Sequence, residues 1–265
     1  MVTIENFKEQ REGEVNTSNE GYELKIIKYE NRRNVYVEIQ DKYKTIVKVQ
    51  YIQFKKGEIK NPYHPNKFGG YIGVGKFESS ISNKKTKAYQ TWIDMLKRCY
   101  DERYKEKEPT YKDCHVCNEW LNFQNFAEWF YNNYYEIEEQ RMHLDKDVLY
   151  KNNKIYSPKT CIFVPQRINS LFIKCKKTRG KYPIGIAEKY ENDNICLYVD
   201  CSIFDGDKRK SKYIGRFPLD KPFQAFTAYK KFKENYIKEV ADEYKELIPQ
   251  KLYEAMYNYE VEIND

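Results

Sequence analysis

Three stretches near the start of the chain alternate apolar and polar residues with a period of two. They are GYELKIIKYE, NVYVEIQ and TIVKVQYIQF, separated by polar breaks at 31–34 and 41–44. This alternation is typical of half-buried strands, so the sequence predicts a small all-β module over residues 13–78, either barrel-like or a curled sheet. The Gly- and Pro-rich segment NPYHPNKFGGYIGVGKF at its end is predicted to be loop and strand edge.

The pattern changes at Lys87, where apolar residues begin to recur at three- and four-residue steps. KAYQTWIDMLKRCYDERY and the segment capped by Asn122 are predicted to be helices, and PQRINSLFI a short third helix. From residue 178 three alternating strands, YPIGIAEKY, ICLYVDCSI and SKYIGRF, precede a long helix that begins near KPFQAFTAY. The predicted fold is α+β and multidomain, with modules at 13–78, 87–173 and 178–258.

Charge and composition indicate what kind of partner the protein binds. The 47 basic residues outnumber the 40 acidic ones, which suits an anionic partner, and the 26 tyrosines could stack on bases or simply fill a core. The seven unevenly spaced cysteines, with no signal peptide or membrane-spanning apolar run, predict reduced thiols in a cytoplasmic protein without a membrane partner.

The central module carries a set of separated motifs within residues 89–172. They are TWIDMLKRCY, CNEWLNFQNFAEWF and LDKDVLYKNNKIYSPKTCIFVPQRINSLF. Together they resemble a group of phage-encoded HNH-endonuclease-like proteins. The resemblance implies a ββα-metal core, in which two short strands present a loop and the following helix supplies a further ligand. It also implies a phage or prophage protein, located in the cytoplasm of an infected or lysogenic bacterial host.

HNH nucleases use a histidine as general base and hold one divalent cation, Mg²⁺ or another, at the scissile phosphate. Carried onto this chain, the resemblance makes Asp145 the first metal ligand, Asn169 the helix ligand and Lys146 the residue at the general-base position. A lysine is protonated near neutral pH unless it is strongly desolvated, so we expect a degenerate core. Asp147 is a candidate second carboxylate, and His143 a candidate substitute base.

The cysteines of this module raise the question of a structural zinc. Cys114 and Cys117 form a CxxC pair, and Cys161 lies in the same module. Candidates for a fourth ligand are Cys99, Cys175 and His115. A single CxxC is a weak signal, and the family pattern retains only Cys117 and Cys161. We therefore expect buried thiols rather than a zinc site.

The C-terminal module resembles the ethylene-responsive-factor (APETALA-type) DNA-binding domain over residues 179–248. The matching segments are YPIGI, YIGRF and QAFTAY. The resemblance implies a three-stranded antiparallel sheet that lies in the major groove of double-stranded DNA, with a helix packed behind it. The DNA-contact candidates are Lys189, Tyr198, Lys212 and Arg216 on the strands, Arg179 and Lys181 before them, and Lys208, Arg209 and Lys210 as phosphate contacts in the turn.

Local charge supports this reading, since residues 174–216 contain eleven basic and six acidic side chains. The alternative is that these are solvated turns.

Three functions stay open: a DNA-binding protein with a degenerate core, an active Mg²⁺-dependent endonuclease, and an interaction protein that inhibits a host factor. The third rests on the acidic end, with eight acidic and two basic residues in 239–265. The N-terminal module is either a third DNA contact or a protein-docking surface.

Overall fold

The computed structural model describes residues 11–173, 180–191, 194–206 and 208–265. About 33% of the chain is helical and 27% is in strands, distributed over several small sheets, so the protein mixes helices and strands in a way compatible with the α+β class. The chain divides into two compact units: residues up to 112 with 116–130, and residues 113–115 with 131–265. The limits of the three predicted modules stay a prediction.

A four-stranded antiparallel meander opens the first unit. Its strands are β1 (Val15–Thr17), β2 (Glu23–Asn31), β3 (Asn34–Ile39) and β4 (Ile46–Val49), in the order β1-β2-β3-β4. The alternate residues of β2 and β3 are buried, as the period-two pattern requires. They pack with residues of the following segment into one core, made of Leu24, Ile26, Tyr29, Val35, Val37, Ile39, Phe54 and Ile59.

Four helices follow in this part of the chain. They are α1 (Tyr51–Lys55), α2 (Lys87–Tyr100), α3 (Glu102–Lys107) and α4 (Phe123–Asn133), with the short strands β5 (Ser80–Ile81) and β6 (Lys84–Lys85) before α2. The side chain of Thr86 caps α2 by accepting a bond from the Tyr89 N–H at 3.2 Å. The fully buried indole of Trp92 donates to the backbone carbonyl of Trp120 at 2.7 Å.

The strands, turn and short helix that carry Asp145, Lys146 and Asn169 lie in the second unit. After β7 (His115–Val116) come β8 (Met142–Asp145), β9 (Ile155–Tyr156), β10 (Ile162–Pro165) and the short helix α5 (Gln166–Leu171). Strands β8 and β10 pair antiparallel, with Asp145 opposite Ile162 and His143 opposite Val164. We call residues 142–171 the hairpin region.

The C-terminal sheet has three antiparallel strands, β11 (Ile186–Glu191), β12 (Asn194–Asp205) and β13 (Lys208–Phe217), with β12 in the middle. Helices α6 (Pro222–Tyr244) and α7 (Gln250–Tyr257) follow. Gly185 precedes β11 with φ at +79°, and a Cβ there would lie 2.2 Å from the ring of Tyr229 on α6. A glycine is therefore required where the sheet meets this helix.

Helix α6 joins the sheet to the hairpin region through two successive cores. Its first turns bury Ala225, Phe226 and Tyr229 against the C-terminal sheet. Its later turns bury Ile237 and Val240, among others, against apolar residues of the hairpin region: Val148, Ile162, Val164, Ile168 and Leu171. A fragment that begins after the hairpin region would expose this second apolar stretch to water, so the two parts stabilise each other.

Candidate nucleic-acid interface

Lys146, at the expected general-base position, lies inside the turn that follows β8. Only 7% of the residue is exposed. Its Nζ donates to Asp147 Oδ2 at 2.9 Å and to the backbone carbonyl of Asn153 at 3.0 Å. In return, the Asn153 side-chain amide donates to the backbone carbonyl of Lys146 at 2.6 Å. These reciprocal bonds close the loop between β8 and β9 around the ammonium group.

The electrostatics of this turn keep Lys146 protonated. Burial acts to lower the pKa of the ammonium, but the charge and hydrogen bond of Asp147, together with Cys114 and Asp145, outweigh it and raise the pKa above its usual value. A protonated amine cannot accept a proton from water, so Lys146 does not take the role of a general base in this arrangement.

Asp145 also stabilises the turn. Its Oδ1 accepts the backbone N–H groups of Asp147 and Val148, both at 2.8 Å. Burial of the carboxyl, followed by the negative charge of Asp147, raises the pKa of Asp145 to about 6, while the two backbone bonds and Lys146 act in the opposite direction.

The expected metal ligands are occupied by contacts within the chain. Asp145 accepts turn N–H groups, the carboxylate of Asp147 binds Lys146, and the Nε2 atom of His143 bonds with the side chain of Gln166. Asn169 is half-buried on α5. In the described ranges, no three or more His, Cys, Asp or Glu side chains form a group that could hold a metal ion. We derive no catalytic step through a metal ion here.

Among the described residues, the cysteines of this region form no disulfide. Cys114 and Cys161 are buried, and burial raises the pKa of both thiols, in Cys161 to about 12. Cys161 follows the YSP turn, where its N–H donates to the Ser157 carbonyl at 3.0 Å. Cys175 lies outside the described residues.

The C-terminal sheet has a helix-covered face and an open face. Leu197, Val199 and Cys201, at alternate positions of β12, are buried against α6. Tyr198 lies between them in sequence and points to the other side of the sheet. Its partners in the register are Ala187 on β11 and Arg216 on β13.

A β-bulge in β13 decides which cations share that face. The register shifts between Val199 and Asp200, so that Ile214 is the extra residue, and Ile214 packs toward the α6 side. As a result Lys212 lies opposite Cys201, whose side chain is buried against α6. Lys212 and Arg216 therefore lie on opposite faces of the sheet, because one extra residue reverses the alternation, although both side chains are exposed.

The same bulge brings Tyr213 to the open face, where simple alternation would have buried it. Tyr213 is opposite Asp200, and its ring centroid lies 4.8 Å from that of Tyr198. Sequence reasoning missed this residue. The signal that could have found it is Gly215, because an isolated glycine inside a strand indicates a bulge.

The open face thus presents two cations around a tyrosine pair. The Lys189 Nζ lies 3.3 Å from the centroid of the Tyr198 ring, within cation–π distance. Arg216 is exposed on the far side of the same tyrosine. The carboxylate of Asp200 also lies on this face, and the hydroxyl of Ser211 donates to it. We call Lys189, Tyr198, Tyr213 and Arg216 the open-face cluster.

Several of the other residues predicted to contact DNA bind groups of the chain itself. Lys181 pairs with Glu188 at 2.7 Å, Lys210 with Asp205, and Arg209 Nη2 approaches the Ser170 carbonyl at 3.4 Å. Lys208 is exposed at the start of β13. Arg179 lies outside the described residues.

Acidic residues near the C-terminus also pair within the chain. Lys151 binds Glu262 at 3.1 Å and Asp265 at 2.8 Å, and Arg167 binds Glu243 at 2.7 Å. Part of the negative charge that suggested a host-protein partner therefore neutralises cations of the same unit.

Comparison of the chain with family models, with curated proteins and with solved structures gives no match. In the described part of the chain, no helix is long and apolar enough to cross a membrane.

Proposed function

We propose that this chain is a DNA-binding protein that contacts double-stranded DNA through the open face of its C-terminal sheet. The proposal retains the phage or prophage origin that the sequence resemblance implies, and it assigns no cleavage to the HNH-like region. The open-face cluster is the observation that carries it.

That cluster combines the two kinds of group that nucleic acids recognise. Exposed Lys189 and Arg216 can neutralise phosphates or donate to base edges, and Arg in particular can make two parallel bonds to guanine. Tyr198 and Tyr213 supply flat, partly exposed surface between the cations. A helix covers the opposite face of the sheet, so the open face is held rigid from behind.

The hairpin region argues against an active nuclease. Lys146 is buried, hydrogen-bonded and protonated, and both neighbouring carboxylates are engaged by groups of the same turn. A metal-dependent cut would require those bonds to be broken, a carboxylate to be released and a different base to act.

Incubation of the full-length protein with supercoiled plasmid, with and without Mg²⁺ or Mn²⁺, tests the proposal. We expect plasmid that is retarded on a gel but stays supercoiled after the protein is digested. Nicked or linear product that depends on the divalent cation would contradict the proposal and support a nuclease. Failure to retard the plasmid at low salt would leave the interaction protein as the better hypothesis.

A further inference from the structure

The first unit contains a basic cavity whose lining residues take no part in the proposed DNA contact. Its volume is about 370 Å³, and it lies between the tip of the β2–β3 hairpin and helix α1. Arg11, Arg32, Arg33 and Lys55 line it. No carboxylate belongs to the described residues that form its lining. A concave surface with four cationic side chains is suited to an anionic ligand.

The backbone around the cavity fixes where the arginines are presented. The side chain of Asn31 accepts the N–H groups of Arg33 at 2.9 Å and Asn34 at 3.1 Å, which closes the hairpin tip. The Tyr51 N–H donates to the Arg32 carbonyl at 2.9 Å and ties that tip to the start of α1.

On the α1 side of the cavity, Tyr51 and Lys55 both bond to Glu14. The Arg11 guanidinium carbon lies 3.9 Å from the centroid of the Tyr51 ring. The Tyr51 hydroxyl donates to Glu14 at 2.9 Å, and Lys55 Nζ bonds to the same carboxylate at 3.0 Å. Glu14 therefore offsets the charge of Lys55, and the exposed Arg32 and Arg33 contribute positive charge to the cavity.

We propose that this cavity binds a phosphate group. Arginine forks match the oxygens of a phosphate in pairs, and Arg11 together with the adjacent Arg32 and Arg33 lines one concave space. The phosphate of a nucleic-acid strand and that of a free nucleotide share this chemistry. The proposal does not depend on the C-terminal sheet, because its residues all belong to the first unit.

The test titrates the full-length protein with a short duplex and, separately, with adenosine monophosphate, by calorimetry at two salt concentrations. The variant is Arg32→Ala/Arg33→Ala, which changes two exposed hairpin-tip residues. The matched control is Lys42→Ala/Lys60→Ala, which removes the same charge from exposed positions of the same unit outside the lining. Equal melting temperatures for the three proteins establish that any loss is not a loss of folding.

We expect affinity for at least one probe to fall about tenfold or more in the arginine variant and by less than about threefold in the control. If the duplex is the probe affected, the slope of log K against log salt should fall by about two, which assigns the phosphate to nucleic acid. If only the nucleotide is affected, the phosphate is that of a small ligand.

Equal losses in the variant and the control, or no loss in either, would overturn the proposal. The charge-retaining variant Arg32→Lys/Arg33→Lys adds a further readout. We expect it to recover only part of the affinity, because lysine cannot make the paired bonds of arginine. Arg216→Ala, titrated in parallel, separates this proposal from that for the C-terminal sheet, since either variant can lose binding without the other.

Discussion

Lys146 and Lys189 each lie on or beside a strand of the second unit, yet their surroundings are opposite. Lys146 is 7% exposed, and its ammonium is bound by Asp147 and the Asn153 carbonyl. Lys189 is exposed on the open face, with its ammonium over the ring of Tyr198. The first cation stabilises a turn, and the second is placed where a partner can reach it. A motif position alone does not distinguish these roles.

A third lysine, Lys233, can be compared directly with Lys146. Lys233 on α6 is buried like Lys146, but burial lowers its pKa, and the nearby positive charge of Arg209 adds to that effect while Cys201 acts against it. Lys146 has a carboxylate beside it and its pKa is raised. The neighbouring groups, more than burial itself, decide whether a buried lysine stays charged.

The largest effect is expected from Lys146→Ala. The change leaves Asp147 and the Asn153 carbonyl without their shared cation inside the turn. We expect the free energy of unfolding to fall by about 3 kcal/mol, measured by urea denaturation. Exposed Lys159→Ala is the control and should change little. The folded Lys146→Ala variant should bind duplex DNA with nearly unchanged affinity. A large loss of affinity in a variant that is still fully folded would place the DNA contact at the hairpin region.

Asp145→Asn should stabilise the protein in a pH-dependent way. Asparagine keeps an oxygen for the N–H groups of Asp147 and Val148 and removes a half-buried charge. Because folding raises the pKa of Asp145 to about 6, the wild type loses stability as the pH rises through that value.

We expect the variant to be more stable by about 1–2 kcal/mol at pH 8, with the difference lost near pH 4. Denaturation curves at both pH values check this. A variant that is less stable at pH 8 would mean that Asp145 is held as a charged group, as a metal ligand is.

Lys233→Met should have a smaller stabilising effect, about 1 kcal/mol at neutral pH, because it replaces a buried cation with an apolar chain of similar length. The lowered pKa of Lys233 means that the wild type gains stability as the pH rises toward the usual lysine value of 10.5, so the advantage of the variant should shrink there. Exposed Lys231→Met is the matched control. An advantage that grows with pH would contradict the direction of the pKa shift.

The smallest effect is expected from the turn before β13. Replacing Lys208, Arg209 and Lys210 with alanine removes three charges, but Arg209 and Lys210 already contact Ser170 and Asp205. We expect the salt slope of duplex binding to fall by about one rather than about three. Affinity should weaken alike for all DNA sequences, because phosphate contacts carry no sequence information. A change in preference between two duplexes would show that the turn reads bases.

Local pattern predicted much of the fold. Alternation located the strands β2, β3, β11 and β12, and Asn122 does begin a helix, with its side chain accepting the Gln124 N–H at 3.0 Å. These features depend on residues close in sequence, so a single chain reveals them.

The candidate site was less predictable because it depends on register and on loop closure. The bulge at Ile214 moves Lys212 to the α6 side and Tyr213 to the open face. The bond between Lys146 and Asn153 joins two ends of a loop, and no spacing rule specifies it. The N-terminal cavity combines three separated segments, and its arginines form no motif in the sequence.

The most direct test of the open face as the DNA contact compares Arg216→Ala with Lys212→Ala in the full-length protein. Both residues are exposed cations of β13, and the bulge places them on opposite faces of the sheet. In duplex titrations at a fixed salt concentration, we expect Arg216→Ala to cost about 1–3 kcal/mol in binding free energy if Arg216 contacts base edges. Lys212→Ala should lower affinity by less than about threefold. Equal losses, or a larger loss for Lys212→Ala, would contradict the account.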